Sequence, residues 1–279
     1  PLWSAKVLME NPAEVLAVHE EYFEAGADCV ITSSYQATFE GFMKRGLSEP
    51  EAAELITTSV TLAKKARDRF VERGGLHNRP HPLVAASVGP YGAYLADGSE
   101  YKGNYDLDKD GLIEFHRKRF QTLIAAEPDL LACETLPCLV EAEALVTLLE
   151  EHPGVYAWIS FSAKDGTHTN NGEPLKECAA VLHPCDQMAA IGINCTAPEH
   201  VGSLISEIRK GTDKPVIVYP NGGEIYDAVT KTWQGGGLKG SYCDQAISWY
   251  EQGARIIGGC CRTTPDDIKQ IATWRETLR

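Results

Sequence analysis

The sequence predicts an α/β fold: a parallel sheet wrapped by helices and closed as an eight-fold (β/α)8 barrel of TIM type, its first strand absent from the chain. Three observations lead there. Seven short apolar runs rich in β-branched residues alternate with longer stretches of helical period. Many of those runs are apolar on both faces, the pattern of strands buried within a helix-covered parallel sheet. The runs also finish on polar or small residues, namely Thr32-Ser33-Ser34, Glu134-Thr135, Asn194-Cys195 and Cys260-Cys261. Such residues belong at the carboxyl ends of barrel strands, where active sites are built. An open doubly wound sheet is the competing topology.

Taken in order, the chain opens with a helix expected over 12–26. Asn11 is placed as N-cap, Pro12 at the first helical position and Gly26 at the end, with Val15, Val18, Tyr22 and Phe23 as the apolar face. The run CVITSS (29–34) is the first strand, and a long helix follows over 49–74. LVAASV (83–88) and LLACE (130–134) are the next strands, and LVEAEALVTLLEEH (139–152) is a helix. VYAWISFS (155–162), MAAIGINC (188–195), PVIVYP (215–220) and ARIIGGC (254–260) complete the strands before a closing helix in PDDIKQIATWRETLR. Eight strands require one more before residue 12. No low-complexity linker interrupts the chain, so residues 1–279 read as one domain.

Composition excludes several classes. With 43% hydrophobic and 23% charged residues, the chain has material for a core and is not disordered. No apolar run reaches the ~18 residues that span a bilayer. Acidic residues outnumber basic ones, 39 to 26, and the net charge of −13 repels phosphate backbones and anionic lipid surfaces. Nucleic acid and membranes are therefore not expected partners. The first residues lack a basic segment followed by an apolar one, and nine cysteines fit no disulfide framework. A cytoplasmic protein with reduced thiols is expected.

The densest chemistry is Gly258-Gly259-Cys260-Cys261-Arg262 at the end of the last strand. Adjacent residues of an extended strand face opposite sides, so the two cysteines converge only where the strand has ended, and the glycines are expected to allow that turn. Cys195 closes a strand on the same face of the barrel. Three thiolates there form a soft site with one open position, the pattern of catalytic zinc. Ordinary packing of buried cysteine accounts for the same spacing, since no CxxC pair is present. The other six cysteines are read as core or surface thiols. No histidine ends a strand; His168, in the loop 165–172, is held in reserve.

The blocks IGINC, GGCCRTTP, SYQAT, SVGPYGAYLADGSEY, LLACETLP and YPNGGE with YDAVTKTW together resemble the homocysteine S-methyltransferase family. The resemblance runs from LWSAKVLMENP to GGCCRTTPDDI and is closest to the short, cobalamin-independent branch that uses S-methylmethionine. It implies that Cys195, Cys260 and Cys261 are zinc ligands in a (β/α)8 barrel. Family members begin with a strand carrying an Asp-Gly motif that this chain lacks before Pro1, and the betaine-using branch carries a C-terminal extension not seen here.

By motif position and strand-end location, Glu134 suits the ammonium group of homocysteine. Thr32 and Ser33 suit its amino-acid moiety, or alternatively cap a strand. Asn194 is expected to brace the ligand loop, or to serve as a turn residue. Tyr91 and Tyr94 are candidates for facing a sulfonium donor, because cations favour aromatic faces, and Asn221 and Glu224 are further donor-side candidates. The expected activity is zinc-dependent methyl transfer from S-methylmethionine, with S-adenosylmethionine as a second donor, to L-homocysteine, forming methionine. Selenohomocysteine or selenocysteine is an alternative acceptor. A non-enzymatic zinc or redox sensor using Cys260 and Cys261 is a second class. A metal-assisted hydrolase is disfavoured by the absence of strand-end His and Asp ligands.

Overall fold

A computed structural model describes residues 3–77, 79–223, 225–227, 232–234 and 240–278. The strands are β1 (Cys29–Ile31), β2 (Leu83–Val88), β3 (Leu130–Leu136), β4 (Ala157–Phe161), β5 (Met188–Asn194), β6 (Val216–Tyr219), a hairpin of β7 (Ile225–Asp227) and β8 (Thr232–Gln234), and β9 (Ala254–Ile257). Seven of them form one all-parallel sheet in the order β1-β2-β3-β4-β5-β6-β9. Each expected run is therefore a strand, and the β7–β8 hairpin is an addition that sequence periodicity does not disclose. The helices are α1 (Trp3–Glu10), α2 (Pro12–Ala25), α3 (Phe39–Met43), α4 (Glu49–Glu72), α5 (Tyr91–Leu95), α6 (Lys109–Ala125), α7 (Leu139–Glu150), α8 (Leu175–Leu182), α9 (Val201–Gly211), α10 (Tyr242–Gln252) and α11 (Pro265–Glu276). No helix among the described residues is long and apolar enough to cross a membrane.

Strand order that follows chain order, with helices between, is the topology of a curling TIM-type barrel rather than of a doubly wound sheet. Alternation along the strands separates two cores. Val88, Leu131, Cys133, Ile159, Phe161, Ile191, Ile193 and Val218 face the helices. Ala85, Ala132, Trp158, Ala190, Ile217 and Tyr219 fill the interior, where three alanines make room for one indole. The sheet edges, β1 and β9, are drawn together by the helices beside them. Tyr22 of α2 donates its hydroxyl to the Thr263 carbonyl at 3.3 Å, and Arg275 of α11 pairs with Asp28. Gly26 (φ +110°) closes α2, and a Cβ there would lie 2.4 Å from the Ala272 Cβ.

Two local expectations are corrected. In α2 the buried line is Val15, His19 and Phe23, spaced by four, whereas Val18 is 48% exposed. Asn11 occupies the N-cap position but its side chain makes no capping bond: the Glu14 N–H turns to the Asn11 carbonyl instead, and the Asn11 N–H ends α1 on Val7.

Candidate metal centre

The thiols meet at the carboxyl-end face of the sheet. Cys195 directly follows β5 with φ +46°, and its N–H donates to the Tyr219 carbonyl at 3.3 Å, tying the turn to the end of β6. Past β9 the chain continues beside the β6 loop: the Gly258 N–H reaches the Val218 carbonyl, the Cys260 N–H reaches Pro220, and the Gly222 N–H reaches the Cys261 carbonyl, at 2.8–2.9 Å. The turn expected at the glycines falls elsewhere, because neither Gly258 nor Gly259 has a positive φ and Arg262 does, at +68°. Gly259 is needed for closeness instead, since a Cβ there would lie 2.3 Å from the Thr263 hydroxyl oxygen.

The sulfurs of Cys195, Cys260 and Cys261 lie within 4.8 Å of one another. The Cys195–Cys261 separation is 3.8 Å and the Cys260–Cys261 separation is 4.0 Å, and all nine cysteines are unbridged. Tetrahedral zinc with Zn–S bonds of about 2.3 Å sets its sulfurs about 3.8 Å apart, close to the two contacting pairs, so the three thiols fit the donor set of a zinc site. Proton sharing supports the fit. Thiol donation from Cys195 and Cys260 pulls the Cys261 thiol well below the ordinary range, whereas Cys195 and Cys260 are held well above it. One thiolate is favoured and the next two ionisations await a cation. Elsewhere, burial pushes the Cys29, Cys133 and Cys178 thiols up to about 12, as expected of inert core thiols.

Glu134, on the inward face of β3, is 7% exposed and accepts a hydrogen bond from the Ser87 hydroxyl. Burial pushes its carboxyl up to about 7, opposed by hydrogen bonds to Ser87 and Tyr219, with the charge of Cys261 adding to the rise. Asn194 is fully buried and braced: its Oδ1 accepts from the Thr135 N–H at 2.7 Å and from Ser160 at 2.8 Å, and its Nδ2 donates to Thr135 Oγ1 at 2.7 Å. These bonds fix the backbone immediately before Cys195. Thr32 accepts from the Ser87 N–H at 3.0 Å and contacts Ser34 Oγ at 2.7 Å, so its hydroxyl braces the ends of β1 and β2. Ser33 is buried beside it. The Asn221 N–H donates to Thr196, and its Oδ1 is buried with no hydrogen-bond partner. Glu224 lies outside the described residues. His168 is engaged by Asp165 at 3.1 Å.

Tyr91 and Tyr94 pack with Tyr105 and Phe115 at centroid separations of 4.8–5.8 Å. The Lys44 ammonium lies 4.5 Å from the Tyr94 centroid, so a cation already covers that ring. Tyr35 and Tyr101 are among the tyrosines that feel the charge of the three thiols, with Tyr22, Tyr219 and Tyr242. Burial holds the phenols of Tyr35 and Tyr101 neutral, and the neighbouring cysteines reinforce it. Both belong to sequence blocks that carry the resemblance, SYQAT and SVGPYGAYLADGSEY, yet no local signal sets them apart from Tyr91 and Tyr94.

A TIM-type barrel whose strand ends gather three thiols and a buried carboxylate defines a class, enzymes that handle a thiol substrate at a metal. The chain belongs to the homocysteine S-methyltransferase family, whose model matches residues 1–274. It is 59% identical over 280 residues to homocysteine S-methyltransferase YbgG of Bacillus subtilis, covering 100% of this chain and 89% of that one. It is 49% identical to the homocysteine S-methyltransferase of Escherichia coli, covering 97% of this chain and 87% of the other. Among solved structures, the metallated form of the homocysteine methyltransferase MmuM from Escherichia coli superposes with a TM-score of 0.87 at 45% identity, over 98% of this chain and 88% of that one. The oxidized form of the same enzyme gives a TM-score of 0.86 and the apo form 0.79.

Proposed function

We propose that residues 1–279 form a single cytoplasmic domain that transfers a methyl group from S-methylmethionine, or from S-adenosylmethionine as a second donor, to L-homocysteine. The product is methionine, the partners are small molecules, and the cofactor is zinc held by Cys195, Cys260 and Cys261. The observation that carries this reading is the spacing of the three sulfurs, 3.8 and 4.0 Å for the two contacting pairs, at the mouth of the barrel. When bound there, zinc supplies the Lewis acidity that keeps a substrate thiol ionised at neutral pH.

The protein's own groups orient the reactants. Glu134 pairs with the ammonium of homocysteine, and a cation beside it favours the ionised carboxylate that burial alone disfavours. Asn194 holds the turn that presents Cys195. Ser33 and the backbone around Thr32 line the amino-acid end of homocysteine, and Asn221 offers its unpartnered Oδ1 to the donor side. Tyr91 and Tyr94 are the candidates for facing the sulfonium, and Tyr35 and Tyr101, whose phenols feel the charge of the thiols, join them. In the transfer, the homocysteine sulfur forms the new S–CH3 bond. The donor's S–CH3 bond breaks with its electron pair on the departing sulfur, cancelling the sulfonium charge, and the thiol proton leaves to solvent.

Methionine formation from homocysteine with S-methylmethionine, S-adenosylmethionine, betaine or methyl-folate tests the proposal in zinc-loaded protein. Turnover with the first two donors is expected, and failure of all four overturns it. Cys195→Ala, Cys260→Ala and Cys261→Ala are each expected to lose bound zinc by elemental analysis. Full retention in any one refutes that ligand.

A further inference from the structure

At its carboxyl end β2 outruns its neighbour. β1 stops at Ile31 and the Thr32 N–H still reaches the Ala85 carbonyl at 3.0 Å, while β2 continues to Val88. Two hydroxyls take over where β1 has ended. The Ser87 N–H donates to Thr32 Oγ1 at 3.0 Å, and Ser34 Oγ donates to the Ser87 carbonyl at 2.8 Å. Thr32 Oγ1 and Ser34 Oγ lie 2.7 Å apart. Ser34 has one proton and gives it to the carbonyl, so Thr32 is the donor in that contact. The bonds close a ring from the Ser87 N–H through Thr32 and Ser34 to the Ser87 carbonyl, with all three residues buried.

The ring fixes the backbone of Ser87 and commits the protons of both hydroxyls, so the Thr32 hydroxyl is not a donor to substrate. The Ser87 hydroxyl remains for another partner. Alternation along β2 places Ser87 on the interior face with Ala85, and alternation along β3 places Glu134 there with Ala132. Ser87 Oγ donates to Glu134 Oε1. The side chain that holds the carboxylate is thus itself held through its main chain.

We propose that Ser87 is a positioning residue for the methyl acceptor: seated by the Thr32–Ser34 ring, it fixes Glu134 Oε1 and so sets where the carboxylate meets the ammonium of homocysteine. The inference rests on the reading of Glu134 as the ammonium partner. It recasts Thr32, whose hydroxyl acts through Ser87 rather than on the substrate. Without the Ser87 hydroxyl the carboxylate loses a donor that orients it, and the loss falls on acceptors that carry an ammonium.

The test uses the zinc-loaded full chain at saturating S-methylmethionine. KM is measured for homocysteine, and Ki for 4-mercaptobutanoate, the same thiol acid without the α-ammonium, as its competitor. That Ki is read whether or not the competitor is methylated. Ser87→Ala is expected to raise KM for homocysteine roughly five- to tenfold, the effect of one hydrogen bond to a charged group. kcat and the Ki of 4-mercaptobutanoate are each expected to stay within about twofold. A general loosening of the site raises KM and Ki alike, and that result overturns the inference, as does a wild-type KM. Ser87→Cys nearly keeps the volume but is a weak donor, and is expected to show the same selective rise, about threefold or more. Should Ser87→Ala fail to fold, a wild-type KM in Ser87→Cys, or an equal rise of KM and Ki, overturns the inference. Glu134→Gln separates the two readings. An unchanged KM for homocysteine in that variant sinks the ammonium assignment. A raised KM there beside an unaffected Ser87→Ala sinks only the role of Ser87, since the carboxylate is then held without it.

Discussion

Three non-glycine residues at the carboxyl-end face, Thr135 (φ +59°), Cys195 (φ +46°) and Arg262 (φ +68°), hold the left-handed conformation. For a β-branched threonine this costs on the order of 1–3 kcal/mol, and the two hydrogen bonds it shares with the Asn194 amide, one donated and one accepted by Thr135, offset it. Strain at these positions aims Cys195 and the end of β3 inward, where a regular strand would alternate away. A different residue-scale consequence concerns His19. It is 7% exposed, its Nε2 has no hydrogen-bond partner, and burial lowers its pKa from 6.5 to about 4. The unfolded chain therefore binds a proton that the native state refuses. Stability is full above about pH 6.5 and falls as pH drops towards 4, by about 3 kcal/mol in all. His19→Leu is expected to flatten that dependence between pH 4 and 6.5, measured as urea midpoints across the range.

At the scale of elements, the short apolar runs located every strand of the main sheet, because strands covered by helices on their outer face are apolar there. It misread the inner face of α2, where His19 rather than Val18 points inward. Helical geometry permits either line, and the choice depends on what α2 packs against. That partner includes α11, which approaches so closely at Gly26 that an added Cβ would meet Ala272 at 2.4 Å. Gly26→Ala combines this overlap with an unfavourable φ of +110°, and is expected to cost about 2–3 kcal/mol, read as a lower denaturant midpoint at unchanged m. Catalytic constants per zinc-loaded molecule are expected to stay near wild type, since the contact lies on the helical layer.

For the whole molecule, burial is uneven around the sheet. Every residue of β4 is buried and β3 is nearly so, whereas Ile256 of the edge strand β9 is 39% exposed and α11 has no buried residue. Amide exchange is expected to be slowest across β3, β4 and β5, opening only with global unfolding. The α11 amides are expected to exchange faster, through a sub-global opening. Equal protection of α11 and β4 would contradict this gradient. The cysteines at the end of β9 sit next to the less protected edge, so zinc is expected to slow exchange there more than in β3.

The sequence by itself determined the alternation of strands and helices and, once their motifs were read together, singled out the three cysteines that the fold brings within 4.8 Å of one another. These are legible because strand period and a strand-terminal Cys-Cys pair are local properties of the chain. Tertiary structure alone decided that Arg262 rather than a glycine turns the last loop, that Ser87 bonds Glu134 and Thr32 at the ends of β1 and β2, and that Thr135 and Ser160 hold the Asn194 amide. Those outcomes depend on the register between strands far apart in sequence. Period tells which face a side chain takes, and only register tells which partner it meets there.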